Sequence, residues 1–181
     1  MKINWEKITV RKLASVIASR LHEHGIEALL VGGACVTIYS KNRYVSGDLD
    51  FVSYASLKEI EQVLSALGFH RQGSRHFVKK LCPFFIEFVA PPPAVGKEPV
   101  RAVKEIRTAT GVIRLLTPTD TVKDRLAAFY HWSDPQALQQ AILVAEAQNV
   151  NFREIKRWSL EEGHDLKYRK FLEALKHLAR H

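Results

Sequence analysis

Cysteine is scarce: Cys35 and Cys82 are the only two in 181 residues. They fit no metal-ligand spacing, and the simplest reading is a pair of reduced, buried thiols in a cytosolic protein. The opening stretch MKINWEKITVRKLASVIASR has no continuous apolar run, and charges are scattered through it. That is the pattern of neither a secretory signal nor a membrane span, so a cytoplasmic location without a membrane partner is expected. No internal repeat and no low-complexity tract is visible. Acidic residues also vanish between Glu61 and Glu87, where His70, Arg71, Arg75, His76, Lys79 and Lys80 fall. This basic stretch reads either as a solvated edge strand kept from aggregating by its charge, or as a basic wall for a triphosphate or nucleic acid. The residues leave both readings open.

What remains is ordinary in bulk and biased in charge. Hydrophobic residues make up 46% and charged residues 25%, the balance of a soluble globular protein. The length suits one compact domain, or a catalytic domain with a small appendage. The formal net charge of +8 favours a polyanionic partner such as RNA or DNA.

The informative stretch is VGGACVTIYSKNRYVSGDLDFV, residues 31–52. A short apolar strand at residues 26–31 runs into Gly32-Gly33, a helical pattern covers residues 34–39, and a polar loop leads to Asp48-Leu49-Asp50-Phe51. Alternate residues of a strand share a face. Asp48 and Asp50 therefore point one way, and Leu49 and Phe51 point the other, into a core. Two carboxylates side by side on a rigid strand repel unless a cation lies between them, and a pair of divalent metal ions would serve. The glycines let the backbone approach a ligand and aim N–H groups at an anion. Metal and anion in one place suggest a nucleoside triphosphate.

Around this stretch the pattern predicts helices over residues 9–24 and 56–67, the second capped by Ser56. A hairpin turns at Gln72-Gly73-Ser74, and residues 83–90, PFFIEFVA, form an apolar strand. The single Glu87 inside that strand is costly unless it is paired or metal-bound. It reads either as an exposed edge residue or as a third carboxylate beside Asp48 and Asp50. Residues 90–99 read as a proline-rich loop, and residues 100–108 and 112–116 as two strands. From Thr117-Pro118 onward the chain reads as four helices, with Asp134 read either as the cap of the second or as a carboxylate that orients Lys123 or a base. A boundary near Leu116 divides an α/β part, residues 1–116, from a helical part, residues 117–181. On the first of these helices Tyr130 and Trp132 could stack on a nucleobase and His131 could carry a proton, but the expectation is core for the aromatics, a structural role for His131, and the surface for Arg125. The cations of the last two helices alternate with acids, as on a solvated face.

Gly32-Gly33, Asp48-Leu49-Asp50 and Glu87 together resemble the DNA polymerase β-type nucleotidyltransferase superfamily. The chain is most similar there to the small prokaryotic enzymes that include toxins of toxin–antitoxin and abortive-infection systems. Ser46 and Arg43 stand near the positions of that family's approach to the acidic strand, and Lys123 matches a lysine that opens its first C-terminal helix. The resemblance spans residues 27–144. It implies an α/β (α+β) fold: a nucleotidyltransferase-like mixed β-sheet flanked by helices, with a C-terminal helical bundle. It further implies transfer of a nucleoside monophosphate from a nucleoside triphosphate (NTP), with two Mg²⁺ ions about 3.5–4 Å apart held by Asp48, Asp50 and Glu87. Gly32, Gly33, Ser46 and Arg43 would bind the nucleotide, and Lys123 would meet the triphosphate. The acceptor would be an RNA, tRNA included, or a protein hydroxyl, and a cognate antitoxin would be a partner. The alternative is a non-catalytic relative that binds nucleic acid or a partner protein. A glycosyltransferase using Asp-x-Asp would leave Gly32-Gly33 unexplained.

Overall fold

The computed structural model describes residues 3–178. Thr9 opens α1 (Val10–Glu23) by accepting the Lys12 N–H, a donor the helix itself cannot satisfy. Leu13, Ala14, Ile17 and Leu21 form its buried stripe. β1 (Leu29–Val31) runs directly into α2 (Gly32–Tyr39). β2 (Asp48–Val52) is followed by α3 (Leu57–Ser65), which starts from a capping box between Ser56 and Glu59. β3 (His70–Gln72) and β4 (His76–Val78) form the expected hairpin, and β5 (Phe85–Val89) returns through the sheet.

The proline-rich segment is not wholly a loop. β6 (Ala94–Val95) and β7 (Glu98–Pro99) pair there as a small hairpin. Two residues a side are too few for alternation to show in the sequence. The hairpin is held from outside, by Trp158 donating to the Val95 carbonyl. β8 (Val103–Thr108) and β9 (Gly111–Leu116) then complete the strands. Four helices end the described chain: α4 (Pro118–Trp132), α5 (Pro135–Ala147), α6 (Phe152–Glu161) and α7 (Asp165–Leu178). Thr117 and Asp134 cap α4 and α5, each with proline just inside.

Seven strands make one mixed sheet in the order β3-β4-β5-β2-β1-β9-β8. β2 pairs β5 in parallel, β1 pairs β9 in parallel, and the other neighbours are antiparallel. One face carries Leu30, Leu49, Phe51, Phe77, Ile86, Phe88, Ile113 and Leu115, all buried in one core with α1, α2 and α3. Val122, Leu126 and Tyr130 of α4 and Ala141 of α5 belong to the same core. Tyr39 ties the parts together: its hydroxyl donates to the Leu116 carbonyl at 2.6 Å, and its carbonyl accepts from Gln148 at 2.9 Å. This is the mixed α/β architecture with a C-terminal helical region that the sequence implies. No helix of the described residues is long and apolar enough to cross a membrane.

Candidate active site

The other face of the sheet holds the acids. Register pairs Val31 with Asp50, Asp50 with Glu87, Glu87 with His76 and His76 with Gln72. Laterally paired residues share a face, so these five side chains stand in one row across five strands. Asp48 lies two residues before Asp50 on the same side. The structure thus brings Asp48, Asp50 and Glu87 together on the open face, all half-buried.

Asp50 sits at the centre. Its carboxyl is pushed up to about 7, first by burial and then by the like charges of Asp48 and Glu87; nearby Arg125 pulls it back in part. Asp48 accepts a hydrogen bond from the buried Ser46 hydroxyl at 2.8 Å. Ser46 is itself positioned by its N–H donating to Thr37 Oγ1 at 2.9 Å. Ser46 therefore orients a carboxylate. Glu87 meets His76 Nε2 at 3.0 Å, and the His76 ring stands edge-on to Phe85.

The glycines are required by this geometry. Gly32 has a φ of +68°, where side chains are strained, and a Cβ built on it falls onto the Asp50 carboxylate. A Cβ on Gly33 would lie 2.6 Å from the Ser46 hydroxyl oxygen. The start of α2 thus lies against Asp50 and against the serine that holds Asp48.

Three sequence expectations about cations are corrected. Lys123 is not with the acids. It is 2% exposed, and its Nζ bonds Asp120 at 3.1 Å, Glu154 at 3.2 Å and Glu98 at 3.5 Å. Burial works against its charge, but Asp120 and the other two acids outweigh that and raise its pKa. With its three donors so engaged, it is a structural cross-link between β7, α4 and α6. Arg125, expected on the surface, instead lines the cleft beside Asp50. Burial disfavours its charge; Asp124 restores it, with contacts of 2.9 and 2.5 Å, and Gln140 accepts from it at 3.3 Å. Arg43, expected at the nucleotide, is exposed and pairs with Glu146 of α5 at 3.0 Å. Trp132, expected in the core, is 82% exposed as the last residue of α4, whereas Tyr130 is buried and stacked on Trp158. Asp134 caps α5.

The cleft is a cavity of about 240 Å³. Gly32, Asp50, Asp124 and Arg125 form its polar end. The rest is apolar: Val52 and Val89 on the sheet, Pro92 and Pro93, and Val100 and Leu116, with Val31, Ala90 and Ala94 between them. A larger groove of about 400 Å³ lies by α1 and β9, away from the row, where Glu27 and Glu105 share the one guanidinium of Arg114.

Among the described residues no group of three His, Cys, Asp or Glu side chains is drawn in closely enough to enclose one ion. The donor set nevertheless suits a hard divalent cation. All three acids offer oxygen, and no described group donates a hydrogen bond to Asp50. Burial first, and then the neighbouring Asp48 and Glu87, make its charge costly until a cation joins them.

The fold is that of the nucleotidyltransferases. No family model matches the chain, and the search of curated proteins finds no match. Solved structures do match. An antigenic nucleotidyltransferase-like protein from Paracoccidioides brasiliensis aligns at a TM-score of 0.66 and 15% identity, over 93% of this chain and 92% of its own. ANT(2'')-Ia in complex with adenylyl-2''-tobramycin aligns at 0.51 and 12% identity, over 91% of this chain and 97% of its own. A solution structure of ANT(2'')-Ia, described as an antibiotic-resistance factor, aligns at 0.50 and 16% identity, over 95% and 97%. At these identities the likeness establishes the fold.

Proposed function

We propose that the chain is a metal-dependent nucleotidyltransferase that moves a nucleoside monophosphate from an NTP to a hydroxyl, with RNA as the acceptor class. The observation that carries this reading is the register that sets Glu87 beside Asp50, with Asp48 two residues away and Gly32 pressed against Asp50. Asp48, Asp50 and Glu87 would hold two Mg²⁺ ions, which when bound supply charge neutralisation at the phosphates. The start of α2 at Gly32 and Gly33, together with Arg125, would hold the phosphate chain. Arg125 takes the part that the sequence assigned to Lys123. Ser46 keeps the Asp48 carboxylate oriented. Glu87 would accept the proton of the attacking hydroxyl as the new oxygen–phosphorus bond forms. The bond between the α-phosphorus and the bridging oxygen breaks, and pyrophosphate leaves.

ANT(2'')-Ia binds an adenylylated hydroxyl compound in the same fold, which supports adenylyl or related transfer here. The net charge of +8 favours an RNA acceptor, tRNA included, over a polycation. Nothing in the fold adds to the expectation of a toxin role or a cognate antitoxin. The test is incubation with labelled NTPs and total RNA, with Asp50→Ala as the blank. Label on RNA that the variant abolishes supports the reading; equal label from both refutes it. A second reading, a non-catalytic nucleotide binder, is favoured by the contact of Glu87 with His76. It predicts NTP binding without transfer under any metal.

A further inference from the structure

The cleft has a chemical asymmetry that says what it holds. Its polar end is Gly32, Asp50, Asp124 and Arg125, and the rest of its lining is apolar, the larger side chains there being Val52, Val89, Pro92, Pro93, Val100 and Leu116. None of those six side chains can donate or accept a hydrogen bond, and the prolines also lack an N–H. At about 240 Å³ the cavity falls below the roughly 300–1,000 Å³ of drug-sized clefts. It has room for a ring system and a sugar, not for a whole nucleotide. Glu87 does not line it.

Resting on the proposed nucleotide chemistry, we infer that this slot receives the nucleobase and ribose of the donor and grips the base by apolar contact alone. The donor is then chosen by its triphosphate and not by its base. A site that hydrogen-bonds a polar group rejects an analogue lacking it by about 10⁴–10⁵-fold, whereas an apolar pocket separates near neighbours by only about 10–200-fold. Purine and pyrimidine triphosphates should therefore bind within about a hundredfold of one another.

The experiment is calorimetric binding of ATP, GTP, CTP, UTP and inorganic tripolyphosphate, each with Mg²⁺, to the wild type and to Val89→Trp. Val89 is exposed at the end of β5, so a larger side chain there enters the slot without displacing core. Expected are four NTP affinities within a hundredfold, a loss of about tenfold or more for every NTP in Val89→Trp, and unchanged tripolyphosphate binding. Unchanged tripolyphosphate binding also reports that the variant is folded. A spread beyond a hundredfold overturns the inference, as does a Val89→Trp variant that binds NTPs like the wild type or loses tripolyphosphate equally. In these cases the wild type still binds tripolyphosphate, so the proposed function stands. If the wild type binds neither NTPs nor tripolyphosphate, that function falls, and the slot assignment falls with it.

Discussion

Replacing Asp50 by Asn should stabilise the protein, and the gain should depend on pH. The Asp50 carboxyl titrates near 7 in the fold against an ordinary value of 3.8. In the unfolded chain it ionises freely. Below pH 3.8 the carboxyl is neutral in both states and costs nothing. As pH rises from 3.8 to 7 the unfolded chain gives up its proton while the folded chain keeps it, so stability falls across that window and is level above it. The window spans about three pH units at 1.36 kcal/mol each, a loss of about 4 kcal/mol once the group is fully ionised. Asn has nearly the same size and no charge, so it removes the loss. The advantage of Asp50→Asn over wild type should grow by about 2–3 kcal/mol between pH 5 and pH 8. Urea unfolding at the two pH values measures it. Mg²⁺ should raise the stability of the wild type and leave the variant unmoved, because only the wild type has the central carboxylate. A variant less stable than wild type at pH 8, or one whose advantage does not change with pH, would refute the electrostatic account of the site.

Three further outcomes are expected. Gly32→Ala places a methyl group onto Asp50 at a positive φ; it should lose about 1–3 kcal/mol in urea unfolding and show weakened Mg²⁺–ATP binding by calorimetry. Lys123→Met leaves Asp120, Glu98 and Glu154 without their shared cation. It should lose about 3–5 kcal/mol by thermal or chemical unfolding, while the folded fraction still binds ATP. Arg125→Ala should weaken Mg²⁺–ATP binding about tenfold or more, equivalent to ~1.4 kcal/mol; an unchanged dissociation constant would return the triphosphate role to another cation.

The acids were legible because a strand has a period of two. Asp48 and Asp50 alternate with the core residues Leu49 and Phe51, and Glu87 alternates with Ile86 and Phe88, so face and burial follow from order alone. The glycines could be read as a close approach, and the structure supplies the groups they approach. The cations could not be read in the same way. Lys123 and Arg125 are two residues apart on a helix, roughly 200° around its axis, and nothing local says which side meets the sheet. Their partners decide it: Glu98 and Glu154 lie 25 and 31 residues from Lys123, and Gln140 lies 15 from Arg125. Likewise the bond of His76 to Glu87 depends on the register of two strands, and the β6–β7 hairpin on an indole from α6. One signal was available for Arg125. Asp124 stands directly before Arg125, so the partner a buried guanidinium needs was already beside it in the chain.

The clamp on the proline wall also has a bearing on how the protein is made. Val95 is held by Trp158, Lys97 by Glu162 and Glu98 by Arg157, all on or just after α6. The indole arrives 63 residues after the carbonyl it binds. A ribosome adding about 5–20 residues per second leaves an interval of roughly 3–13 seconds between the two. During that time the growing chain carries its carboxylate row without the wall that encloses it. A message cut short before α6 would therefore carry Asp48, Asp50 and Glu87 but lack the groups that fasten the hairpin next to the cleft.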